Sequence, residues 1–317
     1  MKAAYIESFA SKGNIKVGQI STPKPEEGEV CIAVAYAGVN PADAKVAEGL
    51  FQSRVPHRFP LILGWEASGT VHSLGNHVTS LKVGDQVYTY CRKPLLQWGS
   101  WAEYLCFTAE HVALMPKNLS MAEAAAVPLA GLTAWQALFE KTNLKPGEHL
   151  LVHGGGGGVG GFAIQWAKVH GAKVITTASQ AKFDYVKQLG ADEIIDYQNT
   201  NFVDQIRKTH PSGIDVVFDT IGGSVYKQSF EVLKPGGRIV SIREQPDLDL
   251  AAHFKIRAEY LFVHANGKQL REITKLFESG KATPPKIHQY PLDQAPRAID
   301  EIKKGNTLGK IVLKVQG

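Results

Sequence analysis

The run His153-Gly154-Gly155-Gly156-Gly157-Gly158-Val159-Gly160 decides how this chain is read. It follows the apolar stretch Leu150-Leu151-Val152 and precedes Phe162-Ala163-Ile164-Gln165-Trp166-Ala167, so a strand, a turn without side chains and a helix occur in that order. Such a unit brings bare backbone N–H groups and the positive end of a helix dipole against a diphosphate. Gly155-x-Gly157-x-x-Gly160 has the dinucleotide-binding spacing, which makes Gly155, Gly157, Gly158, Val159 and Gly160 candidate cofactor residues. A glycine-rich linker produces the same pattern by chance, and the flanks separate the two cases.

Those flanks alternate. Apolar, β-rich runs at 172–178, 193–196, 214–219 and 237–241 are separated by helix-like segments at 183–189, 202–208 and 224–233. Strands that recur after helices of this length predict a parallel sheet covered on both faces, an α/β doubly wound Rossmann fold. Ligands collect at the carboxyl ends of such strands, so the backbone around Ile221, Ser241-Ile242 and Phe262 is expected to line the nucleotide.

The second strand indicates which dinucleotide. An acidic residue about 20 positions past the glycines holds the ribose 2′-OH of NAD. Here Ala178-Ser179-Gln180-Ala181-Lys182 stands in that place, and the next carboxylate, Asp184, falls inside the following helix. The hydroxyl of Ser179 and the ammonium of Lys182 suit a 2′-phosphate through charge-assisted hydrogen bonds, which favours NADPH. The other reading of the same residues makes Ser179 the N-cap of that helix and Lys182 an exposed surface charge.

A chain of 317 residues with 44% apolar and 21% charged residues fits two ordinary globular cores better than one. The net charge of +5 is spread along the chain, so no nucleic-acid partner is expected. The sequence has no run of about 18 apolar residues, and Met1-Lys2-Ala3-Ala4-Tyr5 reads as a strand, which predicts a cytoplasmic protein without a membrane partner. Cys31, Cys91 and Cys106 are widely spaced and odd in number, so free buried thiols and no disulfide are expected. No Cys-x-x-Cys occurs and no His-x-x-x-His sits in a Glu-bearing helix, so no metal is expected.

The ends of the chain read differently from its middle. Short β-rich segments at 30–36, 69–74 and 86–90 are interrupted by prolines, and helices at 269–278 and 295–303 lead to a last strand at 310–315. A lone terminal strand needs a sheet, so it is expected to return to the first domain.

Several blocks together carry a family resemblance: Gly38-Val39-Asn40-Pro41-Ala42-Asp43-Ala44-Lys45, then Gly64-Trp65-Glu66-Ala67-Ser68-Gly69, Val83-Gly84-Asp85-Gln86-Val87, Gly99-Ser100-Trp101-Ala102-Glu103-Tyr104, Ala130-Gly131-Leu132-Thr133-Ala134-Trp135 and Gly309-Lys310-Ile311-Val312. From first strand to last, the chain resembles the zinc-free quinone oxidoreductase (zeta-crystallin-like) branch of the medium-chain dehydrogenase/reductase superfamily. The resemblance implies a GroES-like β-rich catalytic domain at 1–122, completed by 266–317, an NADPH-binding Rossmann domain at 123–265, an active site in the cleft and a homodimer. It implies hydride transfer from NADPH to a quinone or an α,β-unsaturated carbonyl without a metal. The zinc alcohol dehydrogenases of the superfamily place a ligand Cys where Asn40 stands and a ligand His where Trp65 stands, and neither is present here.

Carried over position by position, the resemblance puts Asn40 near the nicotinamide ribose or the substrate oxygen. Its other reading is a turn residue that caps the helix after Pro41. Asp43 and Glu66 match acidic family positions and read as structural partners more than as bases. Lys45 reads as a solvated lysine on a helix face. Thr133 matches a threonine near the nicotinamide, Tyr197 a tyrosine at the adenosine end, and Lys310 a position that reaches the pyrophosphate or nicotinamide. Where several relatives carry a Tyr, this chain has Phe51, whose ring donates neither a proton nor a hydrogen bond. That departure weakens an enoyl thioester reductase reading and leaves Phe51, Trp65 and Phe262 as an aromatic wall for a flat acceptor. Two alternatives stay open: a zinc-dependent alcohol dehydrogenase-like enzyme, and an NADPH-binding protein with a non-catalytic crystallin or RNA-associated role.

Overall fold

A computed structural model describes residues 1–9 and 15–316. The chain divides into two compact units, one made of Met1–Leu132 and His264–Gly317, the other of Thr133–Val263. The first division falls later than the expected 122/123, inside the helix Pro128–Trp135. Ala122, Ala125 and Ala126 pack against Val312, which keeps the short helix Met121–Ala125 with the first unit.

The first unit is built on a seven-stranded sheet. Its path runs Ile287–Pro291, Lys310–Lys314, Glu29–Val39, Glu66–Leu74, Gln86–Tyr90 and Val112–Leu114, with Tyr104–Thr108 also paired to Glu29–Val39. Val30, Ile32 and Val34 are buried while Glu29, Ala33 and Ala35 are partly exposed, the period-two pattern of a strand with one face on a core. The last strand returns to this sheet as expected, pairing antiparallel with Glu29–Val39. The strand Ile287–Pro291 escapes the sequence reading because its residues are mostly polar and a proline ends it, composition that suits only a sheet edge. A separate three-stranded sheet joins Lys16–Gln19, Lys2–Ile6 and Leu61–Ile62.

The second unit carries a six-stranded, all-parallel sheet. Numbered by appearance, His149–His153, Lys173–Ala178, Glu193–Asp196, Ile214–Asp219, Leu233–Ser241 and Arg257–Tyr260 lie in the order 3-2-1-4-5-6 of a doubly wound dinucleotide fold. The fourth strand is buried along its whole length. The fifth begins earlier than 237: Leu233 pairs with Ile214, Pro235-Gly236-Gly237 bulges out, and the ladder resumes at Arg238. The helix read over 224–233 is α-helical to Ser229 and 3₁₀ from Phe230 to Val232, and Leu233 belongs to the strand.

Close backbone approach is demanded at Gly69, which faces the irregularity between Val34 and Tyr36 in the neighbouring strand. A Cβ there would stand 2.1 Å from the Ala33 carbonyl oxygen. Gly69→Ala should therefore lower stability by about 1–3 kcal/mol, read as a lower urea midpoint. An unchanged midpoint would contradict this packing.

Candidate active site and cofactor cradle

In the second unit the first strand ends at His153, and the helix Gly158–Val169 starts behind the glycines with Gly157 as N-cap. Gly157 is extended and supplies no side-chain cap, so the first-turn amides, which have no intrahelical acceptor, keep their capacity for an anion. A Cβ at Gly160 would lie 2.3 Å from the Gly154 carbonyl oxygen, so glycine is required for the helix to begin this close to the turn. A Cβ at Gly157 would meet only that same oxygen, at 3.4 Å, which leaves room beside the helix start. These residues fit a dinucleotide diphosphate.

Lys182 belongs to this cradle. A Cβ on Gly156 would stand 2.4 Å from Lys182 Cδ, so the lysine stem lies across the glycine turn, and burial holds its ammonium below the ordinary lysine pKa. Ser179 precedes the 3₁₀ turn Gln180–Lys182 and gives it no side-chain cap, so the capping role weighed for this serine is not realised. Ile221 donates its N–H to Asp219 Oδ1 at 2.9 Å and is 48% exposed; Phe262, past the sixth strand, and Tyr197, past the third, are exposed as well. Thr133 is buried.

A chain of hydrogen bonds behind the glycines is invisible in the sequence. Ser229 Oγ donates to the Val225 carbonyl at 2.6 Å and so accepts from His153 Nε2 at 2.9 Å. His153 Nδ1 then accepts from Thr177 Oγ1 at 3.3 Å, and Thr177 Oγ1 accepts from Gly154 N at 3.1 Å. Burial lowers the His153 pKa to about 4, which matches a neutral ring with its proton on Nε2. Asp219 holds the loop after the fourth strand, accepting from Ile221 N, Gly222 N and Ser241 Oγ.

In the first unit, Asn40, Asp43, Glu66 and Lys310 converge, all with 4% exposure or less. Asn40 is the N-cap of the helix Pro41–Ala47 and forms a capping box with Asp43, whose Oδ2 accepts from Asn40 N at 2.7 Å. In the Asn40 carboxamide, Oδ1 accepts from Lys310 Nζ, and Nδ2 donates to Glu66 Oε1 at 2.8 Å. Lys310 Nζ also meets Glu66 Oε1 at 2.7 Å, and Glu66 Oε2 accepts from Leu129 N at 2.7 Å. Lysine has only donors and carboxylate only acceptors, so the orientation of the amide is fixed, with one N–H left without a partner among the described residues. Lys45, on the same helix, is partly exposed.

Burial raises the Asp43 carboxyl pKa to about 7; nearby Glu66 adds to the rise, while Asn40 N–H and Lys310 oppose it. Its Oδ1 atom has no hydrogen-bond partner among the described residues. Beside the cluster in sequence, Trp65 is 6% exposed, its ring centroid 5.9 Å from that of Phe51. Arg92, which sequence reasoning missed, lies over the Trp65 ring at 5.5 Å. No spacing rule flags an arginine 27 positions away as the partner of a tryptophan.

The donor set is a poor one for zinc. Asn40 Oδ1 is engaged by an ammonium, which repels a cation at that position, and an indole is no ligand. Among the described residues, no group of three or more His, Cys, Asp or Glu side chains could hold a metal ion.

The family "Alcohol dehydrogenase GroES-like domain" matches residues 26–117 and "Zinc-binding dehydrogenase" matches residues 189–313. The 2-methylene-furan-3-one reductase of Solanum lycopersicum is 36% identical over 99% of this chain and 79% of its own length. The chloroplastic NADPH-dependent alkenal/one oxidoreductase of Arabidopsis thaliana is 35% identical over the same shares, 99% and 79%. The quinone oxidoreductase structure from Coxiella burnetii superimposes with a TM-score of 0.88 at 32% identity, covering 100% of this chain and 99% of that one. The chain belongs to the medium-chain dehydrogenase/reductase superfamily. Within it the quinone oxidoreductase branch is the match, and the protein is an oxidoreductase of an NAD(P)-binding family. Among the described residues, no helix is long and apolar enough to cross a membrane.

In this superfamily member the Asp43 carboxyl leaves a stability signature. Its pKa is above the unfolded value of 3.8, so between pH 3.8 and about 7 the folded state binds more protons than the unfolded state. Stability from this group is therefore lost as pH rises through that window. His153, whose pKa is depressed, acts in the opposite sense, so the readout is a difference. Asp43→Asn should gain stability relative to the parent as pH rises from 4 to 7, measured by urea unfolding at each pH. A gap between the two proteins that does not change with pH would show that Asp43 titrates normally.

Proposed function

We propose that this oxidoreductase uses NADPH to reduce quinones or α,β-unsaturated carbonyl compounds and works without a metal. The observation that carries the cofactor choice is the Lys182 stem across Gly156, which brings a cation to the dinucleotide turn where an NAD-binding unit would present a carboxylate. The names of the tomato and Arabidopsis relatives support the acceptor class, and that of the Arabidopsis relative supports NADPH.

When bound, the dinucleotide supplies the hydride. The amides of Gly158 and Val159 hold its diphosphate at the helix start, with Lys182 and Ser179 on the 2′-phosphate. Ile221, Phe262, Thr133 and Tyr197 line its length. In the buried cluster, the remaining Asn40 N–H and the Lys310 ammonium offer donors to an oxygen that gains negative charge. Such donors are worth most where water is scarce, and they replace the Lewis acid of a zinc enzyme. Phe51 and Trp65 give a flat acceptor an apolar face and no proton. By likeness to the same branch, we take the working form to be a homodimer and the compartment to be the cytoplasm.

Two measurements test this reading. Lys182→Ala should weaken NADPH binding by about 10- to 100-fold, the value of one charge-assisted hydrogen bond, and NADH binding by less than about threefold. Equal losses would put the phosphate elsewhere. With a panel of quinones and enals, the parent should oxidise NADPH only when acceptor is present, and Asn40→Ala should lower kcat by about 100-fold. Tight NADPH binding with no acceptor-dependent oxidation would instead support the non-catalytic role.

A further inference from the structure

Two of the cysteines, 75 positions apart, stand opposite one another: Cys31 on the strand Glu29–Val39 and Cys106 on the antiparallel strand Tyr104–Thr108. In the same ladder Val34 N donates to the Glu103 carbonyl at 2.9 Å, so Val34/Glu103 and Ile32/Leu105 are hydrogen-bonded pairs and Cys31/Cys106 is a non-hydrogen-bonded one. Facing residues of that kind have Cα atoms about 4.5 Å apart and side chains on one face, within the span a disulfide bridges. Each thiol acts on the other's titration.

Both lie on the outward face of their strands. Their same-face neighbours Glu29, Ala33, Tyr104 and Thr108 are partly or fully exposed, whereas Val30, Ile32, Leu105 and Phe107 turn to the core. Cys31 and Cys106 themselves are buried, at 2% and 3% exposure. Glu29, which acts electrostatically on both thiols, forms an ion pair with the partly exposed Lys93 at 2.6 Å. The two sulfurs are unequal. Hydrogen bonds from Cys106 and then Ser73 hold the Cys31 thiol below the usual value against the effect of burial, while the bond to Cys31 and burial push Cys106 up. Cys91 is fully buried and raised by that burial.

We propose that Cys31 and Cys106 are a modification site for hydroperoxides, closing to an intrachain disulfide with neither strand displaced. The Cys31 thiolate attacks the peroxide: a sulfur–oxygen bond forms, the O–O bond breaks, and the departing alkoxide or hydroxide takes a proton. Cys106 then attacks the Cys31 sulfenic acid; the S–S bond forms, the S–O bond breaks, and hydroxide leaves with the Cys106 proton as water. Two thiols lose two electrons and two protons, and the hydroperoxide that takes them up yields one alcohol and one water, or two waters where it is hydrogen peroxide. The bond pins the strand that runs directly into Asn40.

The folded protein is exposed to hydrogen peroxide, quenched, unfolded and alkylated. Alkylatable thiols should fall from three to one, the mass before alkylation should drop by two hydrogens, and digestion should yield a Cys31–Cys106 linked peptide that dithiothreitol separates. Cys106→Ser should stop at a Cys31 sulfenic acid captured by dimedone, and Cys91→Ser should behave as the parent. Phenylarsine oxide bound by the untreated parent and not by Cys31→Ser gives a second readout on folded protein. Three thiols still alkylated after peroxide, a bond between two chains, or oxidation centred on Cys91 would overturn the proposal.

Discussion

The buried pair of Glu66 and Lys310 is the interaction on which the first unit's candidate site rests. Their side chains are 0% and 5% exposed, and removing one partner of such a pair costs about 3–5 kcal/mol because the other charge is left uncompensated. The pair also explains its surroundings. Gly38 lacks a side chain because a Cβ would stand 2.2 Å from Glu66 Oε1. The register of the last strand, with Ile311 opposite Val39, delivers Lys310 beside Asn40. Two ladders on the strand Glu29–Val39, one from the last strand and one from Glu66–Leu74, thus assemble three polar side chains from distant parts of the sequence, which hydrogen-bond to one another. Besides the one Asn40 N–H, Asp43 Oδ1 has no partner among the described residues, and it belongs to a carboxyl whose pKa burial raises to about 7.

The second unit solves a different problem. A glycine turn has no side chains to hold it, so its position comes from what stands behind it. The neutral His153 ring ties Thr177, and through it the Gly154 amide, to Ser229 on the helix Gly223–Ser229. The turn after the fourth strand is fixed by Asp219 in the same way, with backbone amides as the supported groups. Three strands of one parallel sheet, the first, second and fourth, therefore set the cradle.

Much of this could be read from the residues. The parallel, doubly wound sheet follows from alternating apolar runs, since buried strands are apolar and each helix must span the return path, whereas the strand order is seen only in the structure. Lys182 was legible because an absence, the missing carboxylate after the second strand, is itself a local signal. What could not be read depends on register or on side-chain direction. Asn40 carried both a capping and a functional reading, and its bonds to Lys310 and Glu66 depend on strand register that no local pattern gives. The edge strand Ile287–Pro291 lacks the alternation that marks half-buried strands, and Leu233 joins its sheet across a proline-glycine excursion that reads locally as a stop. The facing of Cys31 and Cys106 is a matter of register across 75 residues, for which no local pattern exists.

The contribution of Lys310 to a site otherwise built near residues 40 and 66 has a bearing on synthesis. The second unit is continuous from 133 to 263, so it leaves the ribosome whole while the first unit still lacks the strand that bears the ammonium. Domains generally fold as units during translation. A nascent chain released before position 310 would carry a finished nucleotide turn beside a carboxylate and a carboxamide stranded in an apolar interior, and quality-control proteases would meet it in that half-assembled state.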